Sequence, residues 1–264
     1  MSRLFGFSSR ANYNLANLAA RQQPLPIHLV KRYDLILLPS LSSKRRHRLP
    51  SRLVKHHLPL LLLSVACVWA LYVTRPYTDV LSRASFATAY PALVLLGATL
   101  VIGPLNLLRH RPNPVSIDLR RDLGIWAGFL AIVHTAIGQC VHMRGRPWLY
   151  YIYGPAEHHH GPAVRHDLFG FANYTGAFAT LVVVALFATS NDYSLRALGT
   201  RQWKQLQRGN YAAAALVAMH AFGYQGIEKQ HPQFVAVVIA CVVITLAFQR
   251  AGFLMRGSAA ARKI

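Results

Sequence analysis

Residues 120–142 run RRDLGIWAGFLAIVHTAIGQCVH. Two arginines and an aspartate open the stretch, and the nineteen residues 123–141 that follow contain no formally charged side chain. That is close to the ~20 residues a helix needs to cross a hydrocarbon core. His134 sits in the middle, and its position finds an echo further along. It lies thirteen residues past Arg121, while His220, in another apolar stretch, lies twelve past Arg208. At the helical rise these are depths of roughly 20 and 18 Å from the same side.

The rest of the chain fits a membrane setting. Of its 264 residues 53% are hydrophobic and only 14% charged. Apolar runs near 58–74, 87–108, 123–143, 168–189, 208–225 and 234–252 predict an all-α membrane protein with six transmembrane helices. The glycines of the third run, Gly124, Gly128 and Gly138, suit close helix packing in lipid. Gly103-Pro104 is expected to close the second run, and Pro112 and Pro114 to break the chain before the third.

The net charge of +21 is unevenly placed. Residues 1–57 carry eleven Lys/Arg against Asp34, and the connections holding Arg109, Arg111, Arg120 and Arg121, then Arg196, Arg201, Lys204 and Arg208, are also rich, as is the tail with Arg250, Arg256, Arg262 and Lys263. The intervening connections are poorer: Arg75 and Arg83; Arg144, Arg146 and Arg165; Lys229. Such alternation is the positive-inside pattern and predicts cytoplasmic termini. Nucleic-acid binding accounts for the net charge but not for its alternation, so no nucleic-acid partner is expected. The domain reading is a basic cytoplasmic arm (1–57), a six-helix domain (58–252) and a basic cytoplasmic tail (253–264). No long apolar run opens the arm, so a cleavable signal peptide is not expected.

Two imidazoles at one depth suggest a shared iron. A bis-histidine b-type haem needs ligands from different helices at one level, with small neighbours that admit the ring. His134 has Ala131 and Gly138 at helical spacing, and His220 has Val217 and Gly223. Alternatively the histidines pack helices or carry protons. Function is the default for ionisable residues at this depth, and haem ligation is the preferred reading. His142 falls near the external surface. His158, His159 and His160, with Glu157 and His166, lack fixed ligand spacing and read as a solvated loop rather than a metal site. Cys67, Cys140 and Cys241 fall inside separate spans, giving neither a disulfide framework nor a CxxC motif.

Arg120-Arg121-Asp122-Leu123-Gly124-Ile125-Trp126 leading to His134 resembles the Arg-Arg-x-Leu-Gly-Leu-Trp motif of the ferric reductase-like transmembrane domain family, and within it of the haem-binding membrane subunits of bacterial periplasmic methionine sulfoxide reductase systems. Further matches are Thr99 to Leu105, Thr189-Ser190, Arg196 to Gly199, Trp203 to Leu206 and Met219-His220, so the resemblance covers residues 86 to about 225. It implies a six-helix bundle of the bacterial inner membrane, with one b-type haem on His134 and His220, that passes electrons to a periplasmic acceptor. In close relatives the acceptor is a molybdenum-containing reductase subunit. Gln207 departs from the pattern: relatives have a histidine there, and glutamine is a poor iron ligand. No nucleotide-binding fingerprint occurs, so a separate donor is expected: a quinol, bound FMN or a cytoplasmic flavin reductase. Arg144, Arg146 and Tyr150 are candidate external propionate partners. The rival functions are a transporter or proton- or metal-conducting protein using the same histidines, and a degenerate member with a structural role.

Overall fold

The computed structural model describes residues 52–75, 79–109, 114–155, 157, 163–225 and 232–261. A π-helical turn over Leu53–His57 leads into α1 (Leu58–Val73), followed by α2 (Val80–Leu108), α3 (Pro114–Val141), α4 (Leu168–Ala188), α5 (Asp192–Gln207), α6 (Gly209–Phe222) and α7 (Pro232–Ala261). The chain is an all-α membrane protein. Five segments are long and apolar enough to cross a membrane: Leu53–Val73, Val80–Leu108, Asp118–Val141, Leu168–Ala188 and Pro232–Met255. The expected span at 208–225 is shorter: α6 has 14 residues and is extended by a π-helical turn over 223–225.

Three helix starts are fixed by side-chain caps that satisfy otherwise orphaned amides. Asp79 accepts from the Ser82 amide at 2.7 Å, Asp167 from Gly170 at 2.7 Å and Asn191 from Ser194 at 2.7 Å. α2 does not stop at Gly103-Pro104 as expected. It continues through both Pro91 and Pro104 to Leu108, because neighbouring helices in a membrane bundle re-satisfy the backbone groups that a proline frees. Pro104 is buried, and a Cβ on Gly252 of α7 would come within 3.0 Å of its Cβ. The connection expected at 190–208 is itself helical, with a break at Gly199, whose φ of 71° lies in the left-handed region.

α2 is the central element, packing along α3 on one side and α7 on another, while α4 pairs with α6. One core cluster joins Leu60 of α1, Ala92, Leu95 and Leu96 of α2, and Leu123, Ala127 and Leu130 of α3. A second packs Phe86 and Tyr90 against Phe234 of α7, with the Arg75 guanidinium 4.1 Å from the Phe234 ring centre. Val183, Leu186 and Ala213 bind α4 to α6. Outward faces carry exposed apolar side chains such as Trp69, Leu181, Leu246 and Phe253. A contiguous apolar exterior of this kind suits lipid rather than water.

Candidate functional site

His134 projects from α3 and His220 from α6. Their ring centroids are 6.2 Å apart with planes at 70°. His134 Nδ1 lies 2.9 Å from the Ser85 carbonyl of α2, and His220 Nδ1 lies 2.8 Å from the Ala172 carbonyl of α4. A carbonyl only accepts, so each Nδ1 must carry the proton, which in a neutral imidazole leaves the lone pair on Nε2. The two anchors are built alike. Thr88 donates its hydroxyl to the Ser85 carbonyl at 3.0 Å and Thr175 to the Ala172 carbonyl at 2.9 Å.

Metal–imidazole bonds of about 2 Å on opposite sides of one ion put two ring centres roughly 6 Å apart. The observed separation is 6.2 Å. Nδ1–H groups held by backbone carbonyls are the usual outer support of such ligands. Residues from four helices, α2, α3, α4 and α6, thus hold two imidazoles of the ligand type that suits iron.

The pair lines a cavity of about 840 Å³. Ala131, Gly138 and Val217 line it too. Gly223 does not: it is buried against α4, where a Cβ would meet the Ala172 Cβ at 2.8 Å. It thus sets the approach of α6 to the residue that anchors His220. Gly176 has the most direct role, since a Cβ there would fall 2.6 Å from His220 Nδ1 and 2.8 Å from its Cε1. Sequence spacing around the histidines gives no hint of Gly176, which belongs to a different helix.

At the histidine end, Tyr150 is buried and donates its hydroxyl to the Gly138 carbonyl at 2.9 Å while accepting from the His142 amide at 2.7 Å. Its single O–H is thereby engaged within the protein. His142 packs its ring near Tyr150 and Phe169. Arg146 is exposed and donates to the Met143 carbonyl at 3.3 Å, away from the cavity wall; the Arg144 side chain lies outside the described residues. The organiser of this end is Arg165, only 6% exposed. It donates to the Leu149 carbonyl at 2.8 Å, to Asp167 at 2.9 Å and to both Glu157 oxygens at 2.5 and 2.6 Å. Glu157 is thus held by an arginine, and His166 stands against Tyr153. His158, His159 and His160 lie outside the described residues. Among the described residues no group of three or more His, Cys, Asp or Glu side chains is placed to hold a metal.

A polar cluster at the opposite end was not legible in the sequence. Asp122 is fully buried, with His56 Nδ1 at 2.7 Å from one carboxylate oxygen and His57 Nε2 at 3.2 Å from the other. The Trp126 indole donates to His57 Nδ1 at 3.3 Å. Asp122 and Trp126, conspicuous in the motif, thus clasp the chain entering α1. Arg121 reaches the Ser190 carbonyl at 2.9 Å and Asp192 at 2.7 Å, tying α3 to the start of α5. Gln207 also lines the cavity, and its Nε2 is buried without a hydrogen-bond partner among the described residues.

No protein-family model matches the chain. It is 27% identical over 190 residues to the protein-methionine-sulfoxide reductase heme-binding subunit MsrQ of Pectobacterium carotovorum subsp. carotovorum, covering 72% of this chain and 84% of that protein. It is 29% identical over 169 residues to the protein of the same name from Deinococcus radiodurans, covering 62% and 73%. The Salmonella enteritidis PT4 protein of that name is 28% identical over 164 residues, covering 62% and 74%. With the helical membrane architecture and the paired histidines on α3 and α6, this recurring similarity is to heme-binding membrane subunits of the MsrQ type.

Proposed function

We propose that the chain is a membrane electron-transfer subunit that binds one b-type haem between His134 and His220. The observation that carries the reading is the 6.2 Å separation of two imidazoles whose Nδ1 atoms are both engaged by backbone carbonyls. Haem, when bound, supplies a one-electron couple. The protein's own residues do the rest. The Ser85 and Ala172 carbonyls fix both rings and make each Nε2 a better donor. Ala131, Gly138 and Val217 leave room beside them in the cavity. A pre-oriented ligand pair lowers the reorganisation that accompanies a change of charge.

The partner reading follows from the relatives, whose name makes them subunits of a protein-methionine-sulfoxide reductase. In the proposed arrangement the chain sits in a bacterial inner membrane with both termini cytoplasmic, and its histidine end faces the periplasm. Electrons leave there for a methionine sulfoxide reductase catalytic subunit, a molybdenum-containing one by the family resemblance. They enter from a quinol, FMN or a flavin reductase.

The test is stoichiometry followed by electron entry. Purified protein from haem-replete cells is expected to give close to one haem per chain in a pyridine haemochrome assay, and that haem should be reduced anaerobically by one of the three donor types. Haem-free protein contradicts the reading and favours a transporter or purely structural role.

A further inference from the structure

The cavity continues past the histidines to a second mouth lined by Arg120, Arg121, Trp203, Lys204, Gln207 and Arg208. Arg208 precedes His220 by twelve residues, so this mouth lies roughly 18 Å along α6 from the ligand pair. Three features of the mouth have no role in holding an iron at the histidines.

The first is the Gln207 amide, whose Nε2 is buried against the cavity with no acceptor among the described residues. Buried donors are almost always paired, and an unpaired one points to a missing partner. The second is charge. Arg121 is neutralised by Asp192 at 2.7 Å, but Arg120, Lys204 and Arg208 have no ion-pair partner among the described residues, and Asp118 is the carboxylate that shares this lining with them. The third is the wall beyond them, where Ala127, Val183, Leu186 and Phe187 make an apolar passage toward the interior. Trp203 stands at the boundary, its indole donating to the Thr189 carbonyl at 2.9 Å, as aromatic residues do at the headgroup level of membranes.

A ligand that answers all three has an anionic head, an oxygen acceptor beside it and an apolar body. We propose that this mouth is a binding site for an anionic phospholipid. The phosphate meets Arg120, Lys204 and Arg208, a headgroup or ester oxygen accepts from Gln207 Nε2, and part of an acyl chain follows the apolar wall. Basic pockets between membrane helices hold phosphate-bearing head groups in this manner, and guanidinium groups match phosphate oxygens in geometry as well as charge. Haem ligation at the other end is not required for the site.

Native mass spectrometry of the full chain in lipid-exchanged detergent tests it, with phosphatidylglycerol and phosphatidylcholine titrated separately. The expected result is at least ten-fold tighter binding of phosphatidylglycerol. Gln207→Leu, which removes the donor at similar size, and the double variant Lys204→Gln/Arg208→Gln should each lose most of that preference. Arg196→Gln, exposed on α5 but outside the cavity wall, should keep it, as should an unchanged far-ultraviolet spectrum in every variant. Equal binding of the two lipids, preference retained in both cavity variants, or loss of it equally in Arg196→Gln overturns the proposal. So does complete displacement of phosphatidylglycerol by millimolar inorganic phosphate, which would assign the site to a soluble anion.

Discussion

His220 stands where it does because Gly176 lets it. A methyl group at position 176 would lie 2.6 Å from its Nδ1, within the space of the hydrogen bond to Ala172. Gly176→Ala is therefore expected to turn the ring and lose haem or convert its spectrum from low-spin to high-spin, whereas Gly97→Ala, with its nearest neighbour at 3.5 Å, should leave the spectrum unchanged. Visible absorption of both purified variants checks this. Asp122 is a second residue with a defined expectation. Removing its charge leaves the bonds to His56 and His57 weakened in a buried setting, so Asp122→Asn should lower stability by about 2 kcal/mol, the size of a hydrogen bond to a charged group, measured by thermal unfolding in detergent. That His134 and His220 meet was legible from their similar distances to basic boundaries, thirteen and twelve residues. Their anchors were not, because backbone carbonyls from α2 and α4 carry no residue signature. Asp122 read as the edge of a motif, since its partners lie 66 and 65 positions earlier in the chain.

At the scale of elements, hydropathy located the long helices and misjudged two junctions. Gly103-Pro104 looks like a stop because proline removes an amide and clashes with the preceding turn. Here the turn is covered by α7, where Gly252 admits the proline ring. Gly252→Val should force α2 and α7 apart and cost about 1–3 kcal/mol by overpacking, seen as a lowered midpoint of thermal unfolding followed by circular dichroism. α5 escaped notice for the opposite reason: it has many polar residues and no buried ones, so neither a membrane-length run nor a core stripe marks it. Its Asn191 cap and left-handed Gly199 are local signals that a search for apolar spans passes over. Gly199→Ala should cost about 1–3 kcal/mol, because φ 71° with ψ 162° is a backbone conformation that glycine alone adopts readily, and limited proteolysis near the break should become faster in that variant.

For the whole molecule, charge and lipid decide orientation. Connections near Arg120 and Arg208 are the basic ones, and the cavity mouth they line is far from the histidine pair. A reporter fused after Ile264 should therefore report a cytoplasmic location, and one placed in the loop that contains Gly161 a periplasmic one; the reverse pattern would invert the direction of electron flow proposed here. The bundle has an apolar exterior and an internal cavity, and the ligand proposed for that cavity is haem. The measurement that bears most directly on that ligand is the visible spectrum, oxidised and dithionite-reduced, of the wild type beside His134→Ala and His220→Ala. A low-spin b-type spectrum at about one haem per chain, lost or turned high-spin in either variant, is the predicted result; a wild type without haem, or a spectrum indifferent to both substitutions, would contradict the account.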